Sequence, residues 1–483
     1  MEKNWSTQQK AIFEFFANGR GNLVVRARAG TGKTTTIIEA VNYAGHESAI
    51  LLAAFNKRIA TELSKRLAAP NVEAKTLHGL GFAFIRRQWT NVKVDAAVDV
   101  DRARAACGGK NAPDEIVGLV KKLAALLKNM SPFVMSLDDV ADIASMFDCT
   151  PDVDWAPQGW DLDAVCDAAV RARDAAKDRD EAGRISFDDM IFIPLANNFA
   201  RPWFSMVVVD ETQDMNYAQL LLVQKACKPR GRIVVVGDDC QAIYGFRGAD
   251  ADGLDRLKRE LSATELGLTI TYRCGKRIVD VAAKMVPDFV AAEGNADGIV
   301  DSIDEEALVG RAQIGDFILS RKNAPLMAIC LSLLRSGIRA RIEGRDIAAG
   351  LKAIIAKFRA KSVPNFIEKV GTWKTKQTAR AMVLDAEIAE AKVNQIDDQA
   401  ATLVALAEGC ASINEIYTRC DTLFGDAETS PPAVVCSSVH KAKGLEADHV
   451  FVLDATLSTR TREERNIYYV AVTRAKSHLT FVA

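Results

Sequence analysis

The chain lacks a net charge of either sign. Its 483 residues carry 62 basic and 63 acidic side chains, leaving −1 at pH 7. No global positive field exists, so a polyanionic partner must be met by local basic patches. Paired cysteines are also missing. None of the ten falls in a CxxC pair or has histidines at zinc spacing. This argues against a structural zinc site and reads as reduced thiols in a cytoplasmic protein. There is no apolar run of about 20 residues to span a bilayer, and Met1-Glu2-Lys3-Asn4-Trp5 does not look like a signal peptide. Internal repeats and low-complexity tails are absent as well. What is present is a 49% hydrophobic fraction, which argues against bulk disorder, on a chain too long for one core.

Short apolar runs read as buried parallel strands: Leu23 to Arg26, Ala49 to Ala53, Met206 to Val209, Ile233 to Val236 and Val450 to Leu453. Each leads into a polar or glycine-containing turn, and several are followed by helical periodicity. That is the pattern of a doubly wound α/β sheet with ligands at the strand C-termini. Residues 80–186 and 347–431 read instead as helical insertions. The expected organisation is a first α/β domain over 1–79 and 187–265 and a second over 266–346 and 432–483, each interrupted by one insertion.

Residues 27–34 read Ala-Arg-Ala-Gly-Thr-Gly-Lys-Thr between a strand and a helix, the context of a phosphate-binding loop. Ala29, Gly30, Thr31 and Gly32 offer backbone N–H groups to phosphates. Lys33 reaches the β- and γ-phosphates, and the Thr34 hydroxyl, followed by Thr35, suits Mg²⁺. Ala27 stands where the strict pattern has its first glycine. The run Met206 to Val209 ends in Asp210-Glu211-Thr212-Gln213-Asp214. Asp210 at the strand tip suits the metal, and Glu211 suits a general base for the attacking water.

Asp-Glu-Thr-Gln-Asp resembles the second motif of the UvrD/Rep type of superfamily I DNA helicases, and the likeness continues in order along the chain. Thr7-Gln8-Gln9 resembles the glutamine motif, Phe55-Asn56-Lys57 and Thr76-Leu77-His78-Gly79 the early strand-binding motifs, and Ser186-Phe187-Asp188-Asp189-Met190 the return from the first insertion. Residues 237–250, from Gly237-Asp238-Asp239 through Gln241, Tyr244, Phe246 and Arg247, are similar to the third motif. Thr271-Tyr272-Arg273, His440 to Glu446 and Tyr469 to Ala475 are similar to the fourth, fifth and sixth.

The resemblance implies two RecA-like motor domains with ATP between them. It makes Lys33, Arg273, Arg474 and Arg247 the cations on the phosphates and Gln213 the sensor or water-positioning residue. Gln8 would read adenine and Tyr272 stack on it, Glu446 would contact the sugar, and Gln241 would belong to the nucleotide site. Phe55, Asn56, His78, Tyr244, Phe246, His440 and Lys443 would line the path of single-stranded DNA, with tailed duplex DNA as the substrate. The family usually has tryptophan where this chain has Phe246. The implied activity is an ATP-dependent, 3′ to 5′ DNA helicase. A translocase that strips proteins from single strands uses the same motor and stays open, whereas Arg273, Arg474 and the aromatics around Phe246 argue against a phosphate-loop kinase or switch protein that binds no nucleic acid.

The second insertion is asymmetric in charge. Residues 351–380 hold eight Lys or Arg and one acidic residue, whereas 381–410 hold six acidic residues and one lysine. Lys369, Trp373, Lys374 and Lys376 form the densest basic-aromatic group. It reads either as a solvated helical face or as a backbone-binding surface.

Overall fold

The computed structural model describes residues 5–45, 49–54, 60–61, 65, 71–130, 132–133, 135–147, 149–151, 153–243, 253–382, 386–425 and 431–483. It divides into two compact units, residues 1–28 with 32–268 and residues 29–31 with 269–483. Both are built on parallel sheets, and the architecture is two RecA-like α/β domains.

The first unit contains β1 (Leu23–Ala27), β2 (Ile50–Ala54), β3 (Val72–Thr76), β4 (Lys93–Val94), β5 (Arg184–Ile185), β6 (Phe204–Val209), β7 (Cys227–Gly237) and β8 (Thr264–Leu268). Six of them form one sheet in the order β3-β2-β6-β7-β1-β8, every pair parallel. The order sets the C-terminal ends of β6, β7 and β1 side by side, so three loops distant in sequence converge. The central strands are apolar on both faces because helices cover both. Val24, Val207 and Val235 face one core with Leu80 and Phe84, while Val25, Val208 and Val234 face another with Ile12, Phe16 and Ile37.

The helices Leu77–Gln88 and Asp189–Ala196 pack together on this sheet. Their approach is close: a Cβ on Gly81 would fall 1.8 Å from the Met190 carbonyl oxygen. Between them, the helices Ala97–Ala106, Asp114–Met130, Leu137–Met146 and Leu162–Asp174 bury a core of their own, including Ile116, Val120, Leu123, Leu127 and Val165. The β4–β5 ladder closes the neck of this insertion.

The second unit contains β9 (Ile270–Thr271), β10 (Val290–Ala291), β11 (Ile299–Ile303), β12 (Phe317–Ser320), β13 (Ala340–Glu343), β14 (Phe424–Gly425), β15 (Val434–Ser438), β16 (Ala447–Leu453) and β17 (Ala475–Val482). Seven form a parallel sheet in the order β11-β17-β16-β12-β15-β13-β14. The helices Arg345–Phe358, Val363–Ala381, Ala386–Ala407 and Ile413–Leu423 do not make a separate core. Leu351, Phe366, Leu403 and Ile416 join one apolar cluster with Ile318, Leu326 and Cys436 of the sheet layer.

Two of the basic residues of this region are used within it. Lys369 donates to the Phe358 carbonyl oxygen at 2.8 Å, capping the end of the helix before it. Lys374 lies 3.0 Å from Asp397, so the basic helix meets the acidic one. Trp373 packs edge-on to Phe358 with ring centroids 6.3 Å apart.

Candidate nucleotide and strand site

The phosphate loop leaves β1 and turns into the helix Lys33–Val41. Gly30 and Gly32 hold φ of 66° and 77°, the left-handed region where a side chain is strained. Gly32 is the N-cap of the helix and has no side chain to occupy the anion's place. Lys33 and Thr34 thus stand in the first turn.

Both reach carboxylates at the tip of β6. Thr34 Oγ1 donates to Asp210 Oδ2 at 3.0 Å, and Lys33 Nζ lies 3.4 Å from Glu211 Oε1. Burial works against the Lys33 charge, but Glu211, Asp238 and Asp210 outweigh it and hold its pKa above the ordinary lysine value. Burial, reinforced by the Glu211 charge, pushes the Asp210 carboxyl up to about 6. Glu211 itself sits at φ 53°, a left-handed conformation that is costly for a side-chain-bearing residue and clusters at functional sites.

Gln213 joins the acidic motif to the end of β7. Its amide donates to Glu211 Oε2 at 2.6 Å, and its carbonyl oxygen accepts the Asp238 N–H at 3.0 Å. A Cβ on Gly237 would meet that oxygen at 2.7 Å, so a side chain there would displace the Gln213 amide. Gln241 donates to Asp238 Oδ2 at 2.7 Å. Arg28, leaving β1, lies 3.1 Å from Asp238 and 2.7 Å from Asp239. Burial raises the Asp238 pKa, with Lys33 and Arg28 opposing. Arg28 was not among the residues singled out by sequence; an arginine closing an apolar strand was the available signal.

At the glutamine motif the structure separates two neighbours. Gln8 is half-buried. Gln9 is buried and donates to Thr36 Oγ1 at 3.0 Å, on the helix of the phosphate loop. Its carbonyl oxygen accepts the Ser6 N–H in a capping box, which fixes the amide's orientation. Ala29 and Thr31 are buried, and Thr35 is half-buried.

In the second unit, Arg273 Nε lies 2.7 Å from Glu446 Oε2, and Lys476 lies 3.2 Å from Oε1. Burial opposes the Glu446 charge, but Arg273 and Lys476 hold its pKa below the usual carboxylate value. Arg474 is 1% exposed and donates to the Val470 and Leu445 carbonyl oxygens at 3.0 and 3.1 Å. Tyr272 is 49% exposed, with its ring available. His440 and Lys443 follow the C-terminal end of β15.

Of the expected strand path, Phe55, Asn56, Tyr244 and Phe246 lie outside the described residues, as does Arg247. His78 is at the start of the helix Leu77–Gln88, its ring 5.5 Å from that of Phe187. Burial lowers the His78 pKa against the pull of Asp188. Phe187 is 63% exposed, an apolar ring turned to solvent that sequence reading had noted only as part of a connecting phrase.

Comparison with known proteins decides the family. Residues 5–262 match the UvrD/REP helicase N-terminal domain, and residues 433–482 match the UvrD-like helicase C-terminal domain. The chain belongs to the UvrD/Rep helicase family. It is 27% identical to the ATP-dependent DNA helicase UvrD2 of Mycobacterium bovis, over 95% of this chain and 76% of that protein. It is 24% identical to the ATP-dependent DNA helicase PcrA of Bacillus subtilis, over 67% of this chain and 48% of that protein. A third relative, the ATP-dependent DNA helicase Rep of Buchnera aphidicola, is 26% identical over 55% of this chain and 42% of its own length. In the described residues of this UvrD/Rep family member, no helix is long and apolar enough to cross a membrane.

Proposed function

We propose that this chain hydrolyses ATP to move 3′ to 5′ along single-stranded DNA and to unwind tailed duplex DNA. One observation carries the reading: in a chain of this family, the loop cation Lys33 and the hydroxyl of Thr34 are paired with Glu211 and Asp210 at the adjacent strand tip. That pairing assembles a phosphate contact, a metal ligand and a base in one place. The names of the relatives supply DNA as the track.

Thr34 Oγ1 and the buried Asp210 carboxylate fit Mg²⁺, a hard cation that takes oxygen ligands. A Mg²⁺ held by Thr34 and Asp210 would supply positive charge against the phosphates. Glu211 accepts the proton of the attacking water, held in place by the Gln213 amide. Gln213 also bonds the Asp238 backbone, so movement of the third motif reaches the base directly. Arg273 and Arg474 are carried over by motif as cations that stabilise charge on the transferred phosphoryl group, with Arg247 a further contact. Tyr272 and Gln8 of the glutamine motif take the adenine by resemblance, beside Gln9, which bonds Thr36 on the loop helix. Glu446 takes the sugar.

His78 and Phe187 present the track with a paired aromatic surface, the kind that stacks on bases without reading sequence. Phe55, Asn56, Tyr244, Phe246, His440 and Lys443 extend that path by resemblance. ATPase and strand displacement on substrates with a 3′ or a 5′ single-stranded tail test the proposal. Hydrolysis stimulated by single strands and unwinding from the 3′ tail alone are expected. Stimulation without displacement would instead identify a translocase that clears bound proteins, and indifference to single strands would refute both.

A further inference from the structure

The first insertion reaches the acidic motif and the strand aromatics through two consecutive residues of the helix Asp114–Met130. Lys128 Nζ lies 2.7 Å from Asp189 and 2.7 Å from Asp99. Arg102 also bonds Asp189, which has no solvent exposure and accepts the Ser186 N–H at 2.9 Å. Burial opposes the Asp189 charge, but Lys128 and Arg102 prevail and lower its pKa. The next residue, Asn129, donates from Nδ2 to Asp188 Oδ1 at 3.0 Å. Its carbonyl oxygen accepts Asn216 Nδ2 at 2.9 Å.

Asn216 N-caps the helix Tyr217–Ala226 in a capping box, two residues beyond Asp214 at the end of the acidic motif. Its own carbonyl oxygen accepts the Gln219 N–H, so its Nδ2 must point to Asn129. Asn129 Nδ2 also donates to the Ala125 carbonyl oxygen at 2.9 Å, which can only accept and so fixes the Asn129 amide as well. Phe187 directly precedes the two aspartates and faces outward beside His78.

We infer that Asn129 is a positioning residue that couples the acidic motif to the strand-binding aromatics through the chain Asn216, Asn129, Asp188. The inference rests on the functional reading above and adds a transmission role for the first insertion. A single planar amide supplies the acceptor on one side and the donor on the other, which no apolar side chain can do. The Lys128–Asp189 clamp beside it holds the insertion helix to the base of Phe187. A displacement of the helix Tyr217–Ala226 is then passed to Asp188 rather than absorbed. None of the three linking side chains touches nucleotide or strand in this scheme.

The test measures ATP turnover with and without a single-stranded oligothymidylate, for wild type, Asn129→Ala, Phe187→Ala and the double variant. With Asn129→Ala, strand-free turnover stays within about twofold while stimulation by the strand falls roughly tenfold, the scale of a lost hydrogen bond to a charged acceptor. The double variant is no worse than Phe187→Ala alone, because the two changes interrupt one route. The exchange Asn129→Asp with Asp188→Asn keeps charge and reverses the donor to Asp188, losing only the Asn129 bond to the Ala125 carbonyl oxygen, and recovers part of the stimulation. Should Asn129→Ala fold poorly, the exchange and the single Asp188→Asn carry the comparison. Unchanged stimulation, losses that multiply, or no recovery on exchange overturn the inference. A wild-type protein without strand stimulation overturns the functional reading itself, and that is seen before any variant is made.

Discussion

Changing Glu211 to Gln separates chemistry from binding at this site. The substitution keeps the side chain's shape and removes one charge 3.4 Å from Lys33. Lys33 retains the attraction of Asp238 and Asp210 and stays protonated. The charge of Glu211 is also one cause of the raised Asp210 pKa, so its removal lets Asp210 ionise more readily for the metal. The lost attraction to Lys33 and the relieved repulsion of Asp210 oppose each other. For a unit of this size the melting temperature should therefore move by no more than about 2 °C. ATP phosphates no longer compete with a carboxylate for Lys33. At the water-like limit of about 1 kcal/mol for a charge pair, affinity should rise roughly fivefold. Turnover loses its base, which contributes about 10²–10⁴ in rate. Single-turnover hydrolysis, titration with a fluorescent ATP analogue and thermal melting read the three effects separately. A rate within about tenfold of wild type, below the range a general base supplies, refutes the assignment of the base. Loss of ATP binding refutes the electrostatic account of Lys33.

Arg273→Ala should lower strand-stimulated turnover by about 10³ or more, as for loss of a phosphate-facing arginine, with little change in melting because the side chain is partly solvated. Arg474→Ala should cost stability as well as rate, about 2–4 kcal/mol by denaturant titration, because a large buried side chain is lost together with its bonds to the Leu445 carbonyl and to the Val470 carbonyl, which keeps the Thr473 hydroxyl. Changing Lys369 and Lys374 to Ala should leave the salt dependence of tailed-duplex binding unaltered, since both cations are used within the insertion; a slope lower by about 0.9 per contact would refute this. Asp189 has a lowered native pKa, so its stabilisation is fully present above the ordinary value of 3.8 and is lost as pH falls through the native value. Asp189→Asn should remove that acid limb from the melting profile and cost about 3–5 kcal/mol at neutral pH, as breaking a buried ion pair does.

The nucleotide site was legible where chemistry needs a contiguous string. Gly30 to Thr34 and Asp210 to Gln213 are each a few residues whose types follow from phosphate, metal and water. Strands were legible as apolar centres rather than as full elements. The run Ile233 to Val236 is the buried part of β7, which begins at Cys227, and Met206 to Val209 omits the first two residues of β6. Partly exposed strands such as β3 and β8 carry Lys75, Glu73 and Glu265, and leave no apolar run to find. Partners supplied by sheet order were not legible. Arg28 and Asp238 are far apart in sequence and meet only because β1 lies beside β7. That Gln9, beside Gln8, meets Thr36 is likewise a matter of which face the first helix buries, and Ile12, Phe13 and Phe16 turn Gln9 inward with them.

The two insertions are held by different forces, and this bears on what each can contribute. The first has its own apolar core, and a buried ionic and amide clamp formed by Arg102, Lys128 and Asn129 adds directional bonds to its packing against the sheet layer. Directional polar contacts have one good geometry and lose their value quickly when displaced, so they suit the transmission of small shifts. The second shares its apolar core with the sheet, and Asp398 on its acidic helix accepts the Asn323 and Ala324 N–H groups at 2.9 Å each, capping the sheet-layer helix Asn323–Arg335. Part of the charge in that region is therefore internal structure, Lys374 facing Asp397 and Lys369 closing a helix. The first insertion's clamp also lies next to the exposed Phe187, whose ring meets the half-buried His78 at 5.5 Å.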